Sequence, residues 1–486
     1  MTKHIQFGTS GHRGIIGEAF TNDHVMAIAL AIADYVKGTH PTPKVIIGYD
    51  PRTGNSPELA PHSFTDNLVT TLSQNGVSVL FCHVYTPTPT ISWAIRHFEL
   101  QGGIILTASH NPPNYNGIKF NPSNGAPAPK SVTDQLETKA NQYFLSPPPP
   151  ATNTPATIET INCIPLFVEE TLYMIERTLS YDINLSGIPV AVDAKNGTAG
   201  PVWDAFFKAC QIDTYTIVNK DPDPQFGGQD PNPTKLETLS SLINAQQAIK
   251  APLAIANDPD TDRHVILDEN GKGLTPEIVT AIIARYFLET GQPVQGIATT
   301  LASSQIIKTL CDSHQIQFEE TEVGFKYFAP FLESCTDKIG LAVESSGGFS
   351  LSCHTREKCG FLPGLLLLII LKTTQKSLTE LQAEVEEAYG KRYFSESEFQ
   401  FESAQKDTIT HLLATITQPD LDKEIDDIES INQTDGLKIT FTNGDWVLCR
   451  LSGTEPLARI YSESSSKENT IQEKVINWLN SRILPA

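Results

Sequence analysis

The chain has no pair of cysteines separated by two residues, although it contains eight cysteines in 486 residues. Cys-x-x-Cys pairs are typical of structural zinc sites, and closely spaced cysteines in small secreted domains form disulfide frameworks. Scattered single cysteines argue against both kinds of site. We therefore expect reduced thiols and a cytoplasmic protein.

Positive charge is also scarce. The 35 lysines and arginines are outnumbered by 56 aspartates and glutamates, which gives a formal net charge of −21. An overall negative field repels nucleic acid and anionic membrane surfaces, so neither is an expected partner. If the ligand is an anion, positive charge must be concentrated locally, which directs attention to arginines in glycine-rich loops.

Long hydrophobic runs are absent too. The longest, residues 365–371, falls well short of the roughly 20 residues that a membrane helix needs and predicts a buried helix. The first residues contain no signal-peptide core. The glycine-rich segment 7–14 carries Arg13, but it matches neither the Walker sequence nor Gly-x-Gly-x-x-Gly, so nucleotide binding is not supported.

Short β-branched runs alternate with longer helical patterns up to about residue 381, which predicts βα units with parallel or mixed sheets. The predicted strands are 44–48, 77–82, 188–192, 253–256 and 340–343, and the predicted helices are 23–37, 57–75, 166–179 and 276–288. The last hundred residues differ, because 437–441 and 446–451 read as a hairpin around Asn443 and Gly444. A small α+β domain fits that pattern.

Three breaks divide the chain. Four consecutive prolines at 147–150 cannot continue a helix, a turn-rich segment covers 268–273, and a less distinct break falls near Gly390. The predicted domains are therefore residues 1–155, 156–268, 269–390 and 391–486.

Ser109 stands where an apolar strand, 104–106, ends abruptly. The following Asn111-Pro112-Pro113 forces a turn that leaves the serine hydroxyl at the edge of the sheet, where α/β proteins place their chemistry. A serine hydroxyl needs a nearby base to act as a nucleophile, and a phosphate on it can be transferred only where nearby positive charge neutralises the phosphate. His110 and Lys119 are candidates for both. A polar turn with a surface serine is the alternative.

Three carboxylates alternate in the loop after the predicted strand 253–256, at Asp258, Asp260 and Asp262. Without histidine or thiol among them, they form a hard oxygen site suited to Mg²⁺. An EF-hand is excluded because its sixth position would be Arg263 rather than glycine. The haloacid phosphatase motif matches only in part, and a solvated acidic turn is the structural alternative.

Two further loops have features of sugar-phosphate binding. The segment 450–456 places Ser452 and Thr454 around Gly453, and with Arg450 and Arg459 it could clamp a phosphate. A simple hairpin exit would explain the glycine but not both arginines. The loop 343–348 carries Glu344 and Ser346, which could bond sugar hydroxyls, although the loop taken alone is better explained as a plain turn.

Taken together and in this order, the segments 107–112, 258–263, 344–347 and 450–456 resemble the α-D-phosphohexomutase family over nearly the whole chain. The resemblance implies three related mixed-sheet α/β domains and a smaller C-terminal α+β domain around a central cleft. In chain order, their functional loops would carry the phosphoserine and bind the metal, the sugar and the non-reacting phosphate.

The resemblance also implies roles for individual residues. Ser109 would carry the phosphate, and Asp258, Asp260 and Asp262 would hold Mg²⁺ against it. Charge balance would come from Arg13 and Arg263, and sugar hydroxyls would be read by Glu344 and Ser346. The non-reacting phosphate would be held by Arg450, Ser452, Gly453, Thr454 and Arg459.

The chain departs from the family pattern at Ser345 and at Gly348, where many members have a histidine that is a suggested acid or base. Gly348 resembles the glucose-preferring members, as does the segment 323–328, in which Lys326 would contact the substrate phosphate. The expected substrate is therefore a glucose phosphate, with mannose or another sugar as the alternative.

The expected reaction transfers the phosphoryl group of phospho-Ser109 to a hexose monophosphate. Glucose 1,6-bisphosphate would then be intermediate and activator, and phosphate would move between C1 and C6. Lys119 is the first candidate for general base and His110 the second. Two alternatives remain: a phosphatase with Asp258 or Asp260 as nucleophile, and a sugar-phosphate-binding protein without activity. The resemblance allows a monomer or a homodimer.

Overall fold

A computed structural model of the chain describes residues 4–8, 11–148, 155–421, 423, 425–451, 457–468 and 470–483. Its strands are β1 Phe7–Gly8, β2 Gly11–Ile15, β3 Lys44–Tyr49, β4 Ser78–Cys82, β5 Gly102–Leu106, β6 Tyr115–Pro122, β7 Ile158–Ile161, β8 Val190–Asp193, β9 Tyr215–Val218, β10 Ala254–Asn257, β11 His264–Leu267, β12 Gly273–Leu274, β13 Val294–Thr300, β14 Gln317–Thr321, β15 Ile339–Val343, β16 Phe349–Leu351, β17 Tyr393–Gln400, β18 Ile428–Asn432, β19 Leu437–Phe441, β20 Trp446–Leu451 and β21 Leu457–Ser464.

The helices of the same residues are α1 Asn22–Thr39, α2 Phe64–Gln74, α3 Thr88–His97, α4 Lys130–Leu145, α5 Ile164–Tyr173, α6 Ala199–Ala209, α7 Ser240–Ile249, α8 Pro276–Glu289, α9 Gln305–His314, α10 Ala329–Ser334, α11 Leu362–Thr374, α12 Leu378–Tyr389, α13 Lys406–Thr415, α14 Gln418–Leu421 and α15 Ile471–Ile483. They belong to two compact units, Met1–Gln295 with Gly324–Glu380, and Gly296–Val323 with Leu381–Ala486.

The first unit begins with a mixed sheet in the order β1-β2-β6-β5-β3-β4-β7, in which β3, β4, β5 and β7 run parallel. Alternate side chains of a strand point to opposite faces. In β3, Val45 and Ile47 therefore join one apolar cluster with α1, α2 and α4, while Ile46 joins another with α3. Burial on both faces explains why these strands are nearly continuous apolar runs.

A second sheet of this unit has the order β12-β11-β10-β8-β9. The strands β10 and β8 are parallel, whereas β10 and β11 form an antiparallel pair in which Asn257 lies opposite His264. Ala254 and Ala256 pack against α7. The six residues 258–263 connect β10 to β11, so the acidic segment is a short turn rather than a solvated loop.

The longest apolar run lies in α11, where every residue from Leu362 to Leu371 is buried. A helix that is apolar on all sides must be enclosed by protein or lipid. It packs against α8, which in turn packs against β15. None of the helices in the described ranges is long and apolar enough to cross a membrane.

In the second unit, β13 and β14 are parallel and flank α9 in the chain. The C-terminal part forms a sheet in the order β17-β21-β20-β19-β18, whose apolar face packs against α13 and α15. The hairpin predicted around Asn443 and Gly444 is present as β19 and β20. Trp446 and Leu448 of β20 contact Leu301 and Ala302, which follow β13.

The helix predicted over 57–75 is wrong in its first half. Leu59 and His62 have φ values of 52° and 67°, which a right-handed helix does not allow. The helix begins only at Phe64, with the Ser63 side chain accepting a hydrogen bond from the Asp66 amide. Pro61 is the physical reason, because proline inside a helix removes a backbone donor and clashes with the preceding turn. Part of the proline break, 149–150, lies outside the described residues.

Candidate active site

Ser109 follows β5 and is almost completely buried. Its backbone is left-handed, with φ of 53°. The Ser109 hydroxyl donates a hydrogen bond of 2.7 Å to Oδ2 of Asp258, a residue 149 positions further along the chain. The structure therefore brings the predicted serine and the predicted acidic loop into direct contact within the first unit.

The three carboxylates of the acidic loop converge, since one oxygen of each of Asp258, Asp260 and Asp262 lies within 4.8 Å of the others. Local bonds shape the turn: the Arg263 amide donates to the Asp258 carboxylate at 3.0 Å, and the Thr261 amide donates to the Asp258 carbonyl at 2.9 Å. The structural alternative of a solvated acidic turn does not hold, because all three aspartates are buried.

Lys119 is the main cation inside this group. Its ammonium donates to Asp260 at 2.6 Å and to Asp262 at 2.9 Å, and the side chain is buried. The alternation of β6 explains this placement: Ile118 and Phe120 face the apolar core, so Lys119 points to the opposite side. The charge lies where three carboxylates would otherwise repel one another.

The electrostatics of the three aspartates differ. Burial raises the pKa of Asp258 well above its ordinary value, and Asp262 and Asp260 raise it further. Burial would also raise the pKa of Asp262, but Lys119, Lys358 and Arg263 outweigh it and hold that pKa well below its ordinary value. The negative charge is therefore concentrated at the Asp262 side of the group, next to the cations.

The donor set fits a divalent cation of the magnesium type. Carboxylate oxygens are hard ligands, and Mg²⁺ prefers them to nitrogen or sulfur. Within the described part of the chain, Asp260 Oδ1 and Asp262 Oδ1 are buried without a hydrogen-bond partner. Buried polar atoms are rarely left unpaired, so these two oxygens suit a bound cation.

His110 and Arg13 lie beside the serine. Nδ1 of His110 is 3.4 Å from the Ser109 hydroxyl, and burial, together with Arg263 and Arg13, lowers the pKa of His110 to about 3. The imidazole is therefore neutral at pH 7. Arg13 donates to the Asn111 side chain at 2.9 Å, and burial followed by the charge of Arg263 lowers its pKa.

The loop after β15 approaches the same cluster. Gly348 forms an isolated bridge with Arg263, and Glu344 is buried with its pKa raised by burial, against the opposing pull of Lys358 and Arg263. The Ser346 hydroxyl lies at the limit of hydrogen bonding from Glu344, at 3.5 Å. The structure thus brings Glu344 towards the acidic loop.

Lys358 is a site residue that the sequence did not reveal. Its ammonium lies 3.3 Å from Asp262 and 2.8 Å from Glu357, and the attraction of Asp262, Glu357 and Glu344 overcomes burial to raise its pKa. A Cβ at Gly348 would come within 2.5 Å of the Lys358 side chain. The glycine at the position of the expected histidine therefore leaves room for this lysine.

Three other contributors were missed. Glu357 accepts from Lys358, Thr88 donates to Asp260 at 2.7 Å, and Arg52 donates to the Ser109 carbonyl at 2.5 Å. For Glu357 and Lys358 the sequence does contain a signal, the charged triplet 356–358 just before the most apolar segment of the chain. Charged residues that are buried beside apolar ones need a partner of opposite charge.

Lys326 lies on a short helical turn, Phe325–Phe328, and is half-buried. Its ammonium is 5.2 Å from the centre of the Tyr327 ring, and the adjacent Phe325 ring lies 5.3 Å from the Lys358 ammonium. The turn that carries Lys326 is therefore next to the site.

In the second unit, Arg450 and Arg459 are directly opposite each other on β20 and β21. Arg450 donates to Asp435 at 2.8 Å, and Arg459 is exposed, 3.9 Å from Glu396. Like charges directly opposite on a sheet are unfavourable, which suits a pair that binds an anion. Ser452, Gly453 and Thr454 lie outside the described residues.

Comparison with protein families accounts for most of the chain. The phosphoglucomutase/phosphomannomutase α/β/α domains I, II and III match residues 4–145, 171–272 and 275–389, and the C-terminal domain of the same family matches 413–475. With its α/β architecture and these four domains, the chain is a phosphohexomutase, an intramolecular phosphotransferase. It belongs to the phosphoglucomutase/phosphomannomutase family.

The individual relatives are named after mutases that act on different sugars. The chain is 28% identical to a phosphoglucomutase of Komagataeibacter xylinus, covering 95% of this chain and 88% of the relative. It is also 28% identical to a phosphoglucosamine mutase of Ruminiclostridium cellulolyticum, covering 95% of each. Its fold is similar to the crystal structure of a putative phosphomannomutase from Thermus thermophilus, with a TM-score of 0.78 at 26% identity over 99% of this chain and 98% of that one.

Proposed function

We propose that this phosphohexomutase interconverts glucose 1-phosphate and glucose 6-phosphate through a phosphate carried on Ser109. The observation that carries the proposal is the contact of 2.7 Å between the Ser109 hydroxyl and Asp258, inside a group of three aspartates and one lysine. A phosphoserine in this place would bring nearly two negative charges to a buried site. Arg13, Lys119 and Arg263 would offset them.

Asp258, Asp260 and Asp262 would hold Mg²⁺ together with the Ser109 phosphate. When bound, the cation would supply positive charge that stabilises the transferring phosphoryl group. The protein contributes positioning, because phosphoryl transfer depends mainly on alignment and on charge balance. Thr88 supports this role by fixing Asp260 through its hydroxyl and its amide, at 2.7 and 2.9 Å.

Proton transfer from the sugar hydroxyl has Lys119 and His110 as candidates from the sequence, and the geometry adds Lys358. The His110 ring is neutral at pH 7, because its pKa is lowered to about 3. Lys119 and Lys358 are both held as cations by their carboxylate partners, since the pKa of each is raised. Single substitutions of each, followed by the pH profile of kcat, would distinguish a proton-transferring group from one that only supplies charge.

The second phosphate of the substrate would bind to Arg450, Ser452, Gly453, Thr454 and Arg459. The opposed arginines of β20 and β21 support this, because an anion would relieve their repulsion. Glu344 and Ser346 would bind sugar hydroxyls, and Lys326 would contact the phosphate. Glucose 1,6-bisphosphate, formed by transfer from Ser109, would turn within the site and return its other phosphate to the serine.

Glucose is the proposed sugar because Gly348 and the Lys326 turn resemble glucose-preferring members of the family. The phosphoglucomutase relative supports this, while the phosphoglucosamine mutase relative, at equal identity, supports a different sugar. The decisive measurement is kcat/KM for glucose 1-phosphate, mannose 1-phosphate, glucosamine 6-phosphate and ribose 1-phosphate in parallel. A higher value for mannose would overturn the sugar while leaving the reaction class intact.

The phosphoserine is tested by intact-mass analysis of the purified protein before and after incubation with glucose 1,6-bisphosphate. We expect one stable phosphate that maps to Ser109 and is absent from Ser109→Ala. A phosphate on Asp258 or Asp260 that hydroxylamine removes would favour the aspartyl phosphatase. Tight sugar-phosphate binding with no phosphate exchange would favour a binding protein.

We further propose domain limits at residues 155, 268 and 390, a monomer or homodimer, and a cytoplasmic location. All eight cysteines are free thiols, which supports a reducing compartment. Limited proteolysis, sedimentation and fractionation of cells test these three points.

A further inference from the structure

Arg52 follows β3 and is completely buried, with a guanidinium that uses all five of its N–H donors. Its Nε donates to Asp50 at 3.0 Å. The other four N–H groups donate to backbone carbonyls of the serine loop: Ser109 at 2.5 Å, Asn111 at 2.7 Å, Pro112 at 2.8 Å and Tyr115 at 2.9 Å. One side chain therefore fixes the backbone of the loop on both sides of its turn.

These contacts surround an unfavourable backbone conformation. A non-glycine residue in the left-handed region is strained, and strain at an active site persists only where neighbouring groups impose it. Ser109 is such a residue, with φ of 53°. The direction of its hydroxyl towards Asp258 depends on this backbone, because the Cα–Cβ bond turns with it.

The backbone amide and carbonyl of Ser109 are both linked by hydrogen bonds, through one intermediate side chain each, to the carboxylate of Asp50. The Ser109 amide donates to the Thr107 hydroxyl at 2.8 Å, and that hydroxyl donates to Asp50 at 2.6 Å. The Ser109 carbonyl accepts from Arg52, which is paired with Asp50. Asp50, Thr107 and Arg52 thus form a closed bracket around the strained residue.

Arg52 is not available to a phosphate. Every donor is already used, and the residue has no exposed surface. Its guanidinium carbon lies 4.8 Å from the centre of the buried Phe226 ring, which covers the remaining face. In this it differs from Arg13 and Arg263, which are only partly buried.

We propose that Arg52 is a positioning residue, which holds Ser109 in the left-handed conformation that aims its hydroxyl at the acidic group. This inference rests on the proposed function, since it assumes that Ser109 exchanges phosphate. Loss of the bracket lets the backbone of Ser109 relax and moves the hydroxyl away from Asp258. Because Arg52 has neither a spare donor nor exposed surface for a sugar or a phosphate, its loss slows phosphoryl transfer without weakening substrate binding.

The test uses the full chain with two substitutions and one control. Arg52→Lys keeps the charge but cannot bridge four carbonyls and a carboxylate. Thr107→Val keeps the shape of the side chain and removes the link between Asp50 and the Ser109 amide, so it provides an answer even if Arg52→Lys does not fold. Thr90→Val is the matched control, because Thr90 is also fully buried and its hydroxyl has no hydrogen-bond partner within the described residues.

The measured quantities are kcat, KM and the rate at which glucose 1,6-bisphosphate phosphorylates Ser109 in a single turnover. Small misplacements of a reacting group cost up to about 100-fold in rate, so we expect a fall of about 100-fold for Arg52→Lys and about tenfold for Thr107→Val. KM should stay within roughly threefold of wild type, because uniform binding is untouched. Thr90→Val should match wild type in all three.

Wild-type rates in Arg52→Lys or Thr107→Val would show that the bracket serves stability alone and would overturn the proposal. So would an equal loss of rate in Thr90→Val, because it would trace the effect to any change in the buried threonines. A wild-type protein that takes up no phosphate at Ser109 would instead refute the proposed function, and the inference with it.

Discussion

Lys119→Met tests whether the acidic group depends on an internal cation. Methionine nearly preserves the length of the side chain and removes the ammonium that lies 2.6 Å from Asp260 and 2.9 Å from Asp262. The three aspartates would then have Lys358, 3.3 Å from Asp262, and the Arg263 guanidinium, 3.8 Å from it, as the nearest cations. The variant should be inactive and, without metal, markedly less stable.

The magnitude follows from burial. Removing one partner of a buried ion pair leaves an uncompensated charge and costs about 3–5 kcal/mol. The matched control is Lys208→Met, because Lys208 forms an ion pair of the same 2.6 Å with Asp204 but its side chain is 69% exposed. An exposed pair contributes much less than a buried one, because solvent and salt screen it. The two variants remove the same charge at the same distance and differ in solvent access.

The assay is urea unfolding in EDTA and again in saturating MgCl₂. A ligand at 100 times its Kd stabilises the folded protein by about 2.7 kcal/mol. In the wild type the Lys119 ammonium already balances part of the charge of the three carboxylates, whereas in Lys119→Met bound Mg²⁺ replaces the missing positive charge. We therefore expect Mg²⁺ to stabilise Lys119→Met more than wild type, and to leave the cost of Lys208→Met unchanged.

Two results would refute this reasoning. If Lys119→Met loses no more stability in EDTA than Lys208→Met, the aspartates do not need the internal cation. If MgCl₂ stabilises wild type as much as Lys119→Met, the bound cation does not compensate for the charge of the missing ammonium.

Three further predictions concern other parts of the chain. Burial, and then the charge of Arg96, lowers the pKa of His354 to about 3; the unfolded chain binds this proton first, so His354 alone should lower stability below pH 6.5, by about 2 kcal/mol at pH 5. His354→Gln should remove that share of the pH dependence in urea unfolding and leave the share of other buried histidines such as His110 and His264, and an unchanged slope would contradict the assignment. Trp203→Phe removes a hydrogen bond of 2.7 Å to Asn257 and should lower the free energy of unfolding by about 2–4 kcal/mol in the same assay. A decrease of less than about 1 kcal/mol would contradict this prediction. Arg450→Gln should raise KM for the sugar phosphate about tenfold or more with a smaller change in kcat, since a charged hydrogen bond contributes about 1.5–3 kcal/mol; an effect on kcat alone would remove Arg450 from the phosphate clamp.

Elements with strong local signals could be predicted from the sequence. The strand ends before Ser109 and before Asp258, the buried helix around 365–371 and the hairpin at Asn443 each follow from a few consecutive residues. The error at 57–75 has the same local origin, because Pro61 and the capping Ser63 are themselves local signals, and both mark the start of the helix at Phe64.

The partners of the site residues could not be predicted in the same way. Lys358 reaches Asp262 only because Gly348, in a different strand connection, leaves room for its side chain. Arg52 stands 57 residues from the Ser109 carbonyl that it binds, in a segment with no recognisable motif. Neither relation has a periodicity or spacing that a one-dimensional pattern records.

The sequence by itself determined which chemical groups are available: a serine at a strand end, three alternating carboxylates, and arginines beside glycine. These are properties of short segments, and local backbone preferences are sufficient to expose them. Only the tertiary structure decided which groups meet, which carboxylate lies nearest the cations, and which buried cation fixes the serine backbone. Those outcomes depend on burial and on distances between segments far apart in the chain, and both arise only when the sheets pack.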